Sequence, residues 1–360
     1  FIFSGLIWDM ETNLSGTYEV HMADLAKAAL QQHLNTRDYS KVFVLVDENT
    51  ERLCLPKLMP IFEPFVSAVL TIPSGEANKN VASCLRLWEA LSQKGADRKS
   101  LLINLGGGVL TDMGGFVAST FKRGIDFINI PSTLLAMVDA SIGGKTGVDL
   151  GSLKNQIGVI NQPQMVLVLP ELLDTLEERQ LVSGYAEMLK HGLIRNETYW
   201  DHLKITESFS DPAHIQTSIA IKNEVVLQDP TEQSLRKFLY FGHTLGHAIE
   251  SYCLDNPKKE TLLHGEAIAV GMILEAFLSH ELKGLSKVAV NEIKVTFLKH
   301  FPKVGFGPGD IEVIIDLMKY DKKNSHGDVN FVLLQSIGEA VIDVRVPEDL
   351  IPKAFAYYNE

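Results

Sequence analysis

Cysteine is scarce in this chain: Cys54, Cys84 and Cys253 stand far apart, with no CxxC pair. An odd, scattered set excludes a disulfide framework and fits buried or free thiols in a reducing cytoplasm. Positive charge is also short. Against 45 Asp and Glu there are 33 Lys and Arg, a formal charge of −12. Such a chain has no global field to draw nucleic acid or an anionic membrane, so an anionic substrate needs a local cluster of cations. No run reaches the roughly 18 uncharged apolar residues of a membrane span. The most apolar stretch, Ala267 to Leu278, is interrupted by Glu275 and reads as a core helix. The opening FIFSGLIWDMETN has neither a basic stretch nor a small-residue cleavage pattern, so no signal peptide is expected there. Internal repeats and low-complexity linkers are missing too.

What remains is an ordinary globular composition, 46% apolar and 22% charged, which excludes disordered, collagenous and coiled-coil chains. At 360 residues the chain outgrows a single core, and two domains are expected. The first half alternates short apolar runs with helical segments: KVFVLVDEN from Lys41, AVLTIPSGE from Ala68, LLINLGGG from Leu101, FINIPST from Phe127 and MVLVL from Met165. Nearly wholly apolar strands separated by helices predict a Rossmann-like parallel sheet covered on both faces. From about Asp174 the apolar spacing changes to 3.6, through LDTLEERQLVSGYAEMLKHGLI, HIQTSIAIKNEVVL, HTLGHAIESYCL and GEAIAVGMILEAFLSHEL, with no strand before NFVLLQSIG. The expected plan is an α/β nucleotide-binding domain over 1–174 and a mostly helical domain over 175–360, with the active site between them.

Three motifs carry chemistry. LLINL runs into Gly106-Gly107-Gly108 and then a helical pattern, the strand–glycine–helix arrangement that suits a pyrophosphate, although Thr111 breaks a strict GxGxxG. A plain tight turn is the alternative. SIGGKTG imitates a Walker A loop, but Asp139 occupies the first glycine position, so an ATPase is not expected. Lys145 on that loop can serve a substrate phosphate or be a solvated lysine. His243 and His247 share a helix face at i, i+4, with Thr244 where a zincin has its glutamate. With Glu187 in GYAEMLKH and His264 in LLHGEA, two imidazoles and a carboxylate would make an open metal site. Spacing does not choose two of the three histidines. Cations gather around these motifs, among them Arg123, Lys145, Lys154, Lys190, Lys222, Arg236, Lys322 and Lys323. Lys190, one turn from Glu187, and Arg236, ahead of GHTLGH, suit a substrate bearing carboxylate and phosphate.

Together, GGGVLTDMGGFVAS, IPSTLLAMVDASIGGKTGVDLG, LKNQIGV, SGYAEMLKHGLI, GHTLGHAIE, LHGEAIAVGM and DKKN resemble the 3-dehydroquinate synthases of the sugar-phosphate cyclase superfamily, in order, from about Val42 to Leu334. The resemblance implies conversion of 3-deoxy-D-arabino-heptulosonate 7-phosphate to 3-dehydroquinate and phosphate in the shikimate pathway. It further implies bound NAD, a divalent metal (Zn2+ or Co2+), a cytoplasmic homodimer, and no nucleic-acid or membrane partner. It places metal ligands on Glu187, His243 and His264, leaving His247 near the substrate. NAD contacts fall on Asp47, Glu76, Lys79, Gly107, Gly108, Asp112, Ser132, Thr133, Lys154 and Thr175. Substrate contacts fall on Asp139, Lys145, Asn155, Lys190, Lys222, Arg236, His247 and Lys322 or Lys323, and Arg123 is lent to the neighbouring subunit's phosphate site. One position departs: Tyr240 stands where the family has a substrate-contacting Asn. The rival readings are another sugar-phosphate cyclase, a glycerol dehydrogenase-type NAD and metal polyol dehydrogenase, and an impaired binding paralogue suggested by Tyr240.

Overall fold

The computed structural model of this protein describes residues 13–15, 18–151, 153–318 and 329–360. The chain divides into two compact units, Phe1–Glu177 and Glu178–Glu360.

The first unit is built on a seven-stranded sheet in the order β1-β2-β9-β6-β5-β3-β4. Its strands are β1 (Asn13–Ser15), β2 (Tyr18–Met22), β3 (Val42–Asp47), β4 (Val66–Ile72), β5 (Leu101–Gly106), β6 (Asp126–Pro131) and β9 (Met165–Val168). Six run parallel, and β1 turns back antiparallel on β2. Every residue of β5 and β9 is buried, as expected where helices cover both faces. Helices α1 (Ala23–Thr36), α2 (Glu48–Leu53), α3 (Leu55–Phe62), α4 (Val81–Gln93) and α5 (Gly108–Thr120) alternate with them. From α4 and α5, Leu87, Leu91, Met113, Phe116 and Val117 pack on Phe43, Leu45, Leu70 and Ile72 of the sheet. The chain leaves β3 for β4 at one edge and returns to β5 on the other side of β3. That reversal makes a crevice at the carboxyl ends of β3 and β5, where Asp47 and Gly106 lie.

Composition did not foretell the YEVHM strand β2, nor the ribbon β7 (Lys145–Leu150) and β8 (Leu153–Ile160). The ribbon settles the status of SIGGKTG. A P-loop lysine opens a helix, whereas Lys145 opens a strand, after Gly143 and Gly144 at φ 98° and 68°.

The second unit holds α6 (Glu178–Arg195), α7 (Glu197–Leu203), α8 (Pro212–Gln228), α9 (His243–Asp255), α10 (His264–Lys283), α11 (Lys287–His300), α12 (Pro308–Met318) and α13 (Leu350–Asn359), with one hairpin of β10 (Asn330–Ser336) and β11 (Glu339–Arg345). The first strand of that hairpin is the expected NFVLLQS; the second was not anticipated. All three cysteines are buried and unpaired. Among the described residues no helix is long and apolar enough to cross a membrane.

Candidate active site

In the first unit the glycine turn forms as the sequence predicts. Gly107 caps α5 in an extended conformation, with no side chain capping the helix end. Beside it the Ser132 N–H bonds to Gly106 O at 3.0 Å, and the Thr133 methyl lies 3.1 Å from where a Cβ on Gly107 would be. Asp47 ends β3 and caps α2, its Oδ1 accepting the Asn49 and Thr50 N–H groups at 3.0 and 2.8 Å.

A charged network lies on the same unit. Lys79 is buried, and its Nζ donates to Asp112 Oδ2 and to Asn155 Oδ1, both at 2.6 Å. Burial opposes that ammonium charge, but the Asp112, Glu76 and Asp149 carboxylates raise its pKa, so it stays protonated. Asn155 sits at φ 50°, an uncommon conformation for a residue other than glycine, and Asp149 Oδ1 accepts its N–H at 2.6 Å. Lys154 reaches Glu76 at 2.9 Å and Asp149 at 3.8 Å. Burial pushes the Asp149 carboxyl up, against the Asn155 bond and the two lysines.

In the second unit three helices meet at one carboxylate. Glu187 on α6 is fully buried, and its Oε1 lacks a hydrogen-bond partner. Its Oε1 faces Nε2 of His243 at 3.7 Å and Nε2 of His264 at 3.6 Å, while Oε2 ion-pairs with Lys190 one turn along α6. Burial alone would raise the Glu187 carboxyl. The Lys190 ammonium and the two imidazoles instead hold it well below the usual carboxylate range. Burial and Lys190 push His243 well below its ordinary value, so that ring is neutral. Burial would lower the part-buried His264, yet Glu250 and Glu187 raise it to about 10.

Local sequence explains this convergence. Gly265 allows α10 to meet α6: a Cβ there would stand 1.9 Å from Ser183 O, and its N–H bonds to Ser183 Oγ at 3.0 Å. That contact lies one turn before Glu187 and sets His264 opposite it. Glu266 receives the Leu263 N–H at 2.7 Å and a two-pronged bond from Arg179 at 2.7 and 2.8 Å, closing the start of α10. Gly242 takes φ 82° to start α9 and leaves no room for a Cβ, which would lie 2.3 Å from Met272 Cγ. His243 is thus the first residue of its helix, and its Nδ1 bonds back to Phe241 O at 3.1 Å, leaving Nε2 toward Glu187.

Two imidazole nitrogens at 3.6 and 3.7 Å from one carboxylate oxygen, and within 4.8 Å of each other, are too distant from it for hydrogen bonds and correctly spaced for a shared cation. Ligand bonds of about 2.0–2.2 Å in a tetrahedral site separate ligand atoms by about 3.4 Å. The unpartnered Oε1 of the buried carboxylate and the neutral His243 belong to the donor set that Zn2+ or Co2+ takes. Nearby, the short 3-10 helix Leu235–Tyr240 presents a buried Arg236, whose Nη1 donates to Pro230 O at 3.0 Å. Asp229 gathers that loop by accepting the N–H groups of Gln233, Ser234 and Arg236 at 2.8, 2.6 and 3.0 Å.

Two family models cover most of the chain: 3-dehydroquinate synthase N-terminal over residues 69–183 and 3-dehydroquinate synthase C-terminal over 184–324. The 3-dehydroquinate synthase of Parabacteroides distasonis is 40% identical over 93% of this chain and 96% of its own length. That of Campylobacter jejuni subsp. doylei is 38% identical over 87% and 91%. This chain belongs to the 3-dehydroquinate synthase family.

Solved cyclases share its fold. The 2-epi-5-epi-valiolone synthase of Streptomyces hygroscopicus subsp. jinggangensis, with NAD+ and Zn2+ bound, superposes with a TM-score of 0.84 at 25% identity, over 95% of this chain and 96% of that one. A 2-deoxy-scyllo-inosose synthase complexed with carbaglucose-6-phosphate, NAD+ and Co2+ gives 0.81 at 23%, over 94% and 96%.

Against what resemblance to the 3-dehydroquinate synthases implied, the structure brings together Glu187, His243 and His264, with His247 beside them at 5.1 Å from the His243 ring. It also brings together Glu76, Lys79, Asp112, Lys154 and Asn155, crossing the division between nucleotide and substrate contacts that the resemblance drew. Asp139 lies in the Ala136–Ala140 turn, Lys222 is buried on α8, and Thr175 closes the turn Pro170–Thr175. Arg123 sits at φ 72° beside Lys122 at φ 49°, against a cavity of about 630 Å3 shared with Asp97, Arg98 and Lys99. Lys322 and Lys323 lie outside the described residues.

Tyr240 does not share a helix with His243, because Phe241 and Gly242 break the chain between them. Its ring reaches the His243 ring all the same, 5.7 Å between centroids. Motif reading missed Asp149, Arg179, Asp229, Glu250, Glu266 and Glu275. Only Glu250 and Glu266 carried a signal, each standing within three residues of a candidate histidine.

Proposed function

We propose that the chain converts 3-deoxy-D-arabino-heptulosonate 7-phosphate into 3-dehydroquinate and phosphate, using NAD in its α/β unit and a divalent metal in its helical unit. The observation that carries this reading is the Glu187–His243–His264 cluster within a chain of this family. Identity of 40% to a 3-dehydroquinate synthase, against 25% to the valiolone synthase, favours this substrate over that of a sibling cyclase.

When bound, NAD supplies reversible hydride acceptance and the divalent cation polarises a substrate oxygen. The chain's own groups bind, orient and balance charge. Asp47, Gly107, Gly108, Ser132, Thr133 and Thr175, with Glu76, Lys79, Asp112 and Lys154, hold the nucleotide around the crevice and the start of α5. Lys145 and Asn155 hold the substrate phosphate, Asn155 being fixed by Lys79 and Asp149. Arg236 meets the carboxylate, aimed by the loop that Asp229 gathers. Lys190, Lys222, His247, Asp139 and Lys322 complete the substrate contacts, and the positive charges of the lysines stabilise enolate-like charge. We further propose a cytoplasmic homodimer in which Arg123 reaches the partner's phosphate.

The redox cycle is closed in this reaction, which makes the test direct. The purified protein, given the seven-carbon phosphate with NAD+ and Zn2+, should release phosphate together with product while NADH stays flat. Steady accumulation of NADH would make it a dehydrogenase.

A further inference from the structure

His247 and His264 compete for one place beside Glu187 and His243. The ligand atoms of His243, His247 and His264 all lie within 4.8 Å of one another. Their ring centroids are 5.1, 5.6 and 5.7 Å apart, so proximity does not choose a third ligand.

Glu250 does choose. It stands on α9 two turns beyond His243 and therefore on the same face. Its Oε2 lies 3.2 Å from Nδ1 of His264, and its side chain is 14% exposed. A carboxylate accepts only, so the proton of that bond sits on Nδ1. When a cation takes the place of any proton on the opposite nitrogen, Nε2 is the ligating atom, and it lies 3.6 Å from Glu187 Oε1. His243 is arranged in the same way, with Nδ1 on Phe241 O and Nε2 at 3.7 Å from that same oxygen. Both rings thus present Nε2 to one point and anchor Nδ1 behind it.

We propose that Glu250 is a positioning residue that fixes the tautomer and angle of His264 and so selects His264 over His247 as the third metal ligand. This rests on the metal site proposed above. The bond also ties the middle of α9 to the first residue of α10, so one glutamate sets the relation between the two helices that supply imidazoles. Residues that orient a metal-bound histidine in this way typically change metal affinity about 10–100-fold when removed.

Zn2+ affinity of the full chain, measured in competition with a chromogenic chelator, tests the assignment without reference to turnover. The parent should bind one Zn2+ per chain, and Glu250→Ala should bind it about 10–100-fold more weakly with an unchanged far-ultraviolet spectrum. Glu250→Gln, which keeps an acceptor, should lose less. In the parent loaded with 113Cd, proton–cadmium couplings should appear on His243 and His264 and not on His247; this measurement needs no variant to fold. Glu250→Ala with parental affinity, or a coupling on His247 in place of His264, overturns the assignment while the metal site stands. A parent that binds no metal overturns both.

Discussion

The Glu275 carboxylate, fully buried in the middle of α10, accepts the Gly242 N–H at 2.6 Å and holds the turn from which His243 starts its helix. The same carboxylate faces the Leu245 N–H at 3.3 Å, so two of the otherwise unpaired amides of α9 point at one glutamate. This is the residue that interrupts the most apolar stretch of the chain, and the interruption has a purpose. Glu275→Ala should lower stability by roughly 2–4 kcal/mol, because buried amides lose their acceptor. Chemical denaturation checks the stability, and elemental analysis should show reduced metal content from a displaced His243.

Gly265→Ala tests the close approach of α10 to α6. Its Cβ would collide with Ser183 O, a backbone atom that cannot swing aside. A loss of about 1–3 kcal/mol is expected from overpacking, with weaker Zn2+ binding as His264 moves from Glu187. Equal stability and equal affinity would show that the helices slide at no cost.

Lys79→Met leaves the part-buried Asp112 without its ammonium partner. Stability should fall by roughly 2–4 kcal/mol, and NAD+ affinity, read by fluorescence titration, should fall as the Asn155 amide loses its anchor.

Tyr240→Phe keeps the ring that lies against His243 and should leave Zn2+ affinity within about twofold, whereas Tyr240→Ala should weaken it more as the imidazole gains freedom. If the Tyr240 hydroxyl also meets substrate, Tyr240→Phe should lower kcat/KM by about 0.5–1.5 kcal/mol. Parallel titration and steady-state kinetics separate the two roles.

Asp310 predicts a pH dependence away from the site. Burial would raise its carboxyl, but Lys259 at 2.7 Å, the Tyr252 hydroxyl and the Gly307 N–H bring it down to about 2. A depressed carboxylate contributes stability that is full above its unfolded value near 4 and is lost as pH falls toward 2. Asp310→Asn should therefore cost about 1 kcal/mol at neutral pH, screening near the surface included, and nothing near pH 2. Urea unfolding of parent and variant across that range gives the difference.

Strands β3, β4, β5, β6 and β9 of the parallel sheet were legible as apolar runs such as KVFVLVD and LLINL, whereas YEVHM, with its alternating polar residues, was not. The β7–β8 ribbon was not, since Gly147 and Gly158 pair across it and β8 is largely exposed, which removes both run and alternation. The metal histidines could be found by spacing, but their selection could not. In the assignment we propose it depends on a carboxylate in α9 reaching the first residue of α10, a contact that no periodicity records. Tyr240 shows the same limit from the other side. Its contact with His243 is made across a left-handed glycine and not along a helix, so helical spacing does not record it.

The place of β2 in the sheet has a consequence for how the molecule is made. Val20 lies beside Val166, so among the described strands the earliest pair to be synthesised docks against the last strand of the first unit to emerge. Loop-closure entropy must be met before that pairing returns any stability. On the ribosome, β3 to β6 can assemble while Tyr18 and Val20, both buried in the finished sheet, still wait in water. The sheet is therefore sealed late and from its amino-terminal side. A nascent chain halted before Met165 should show protection from proteolysis in its centre and cleavage at residues 18–22.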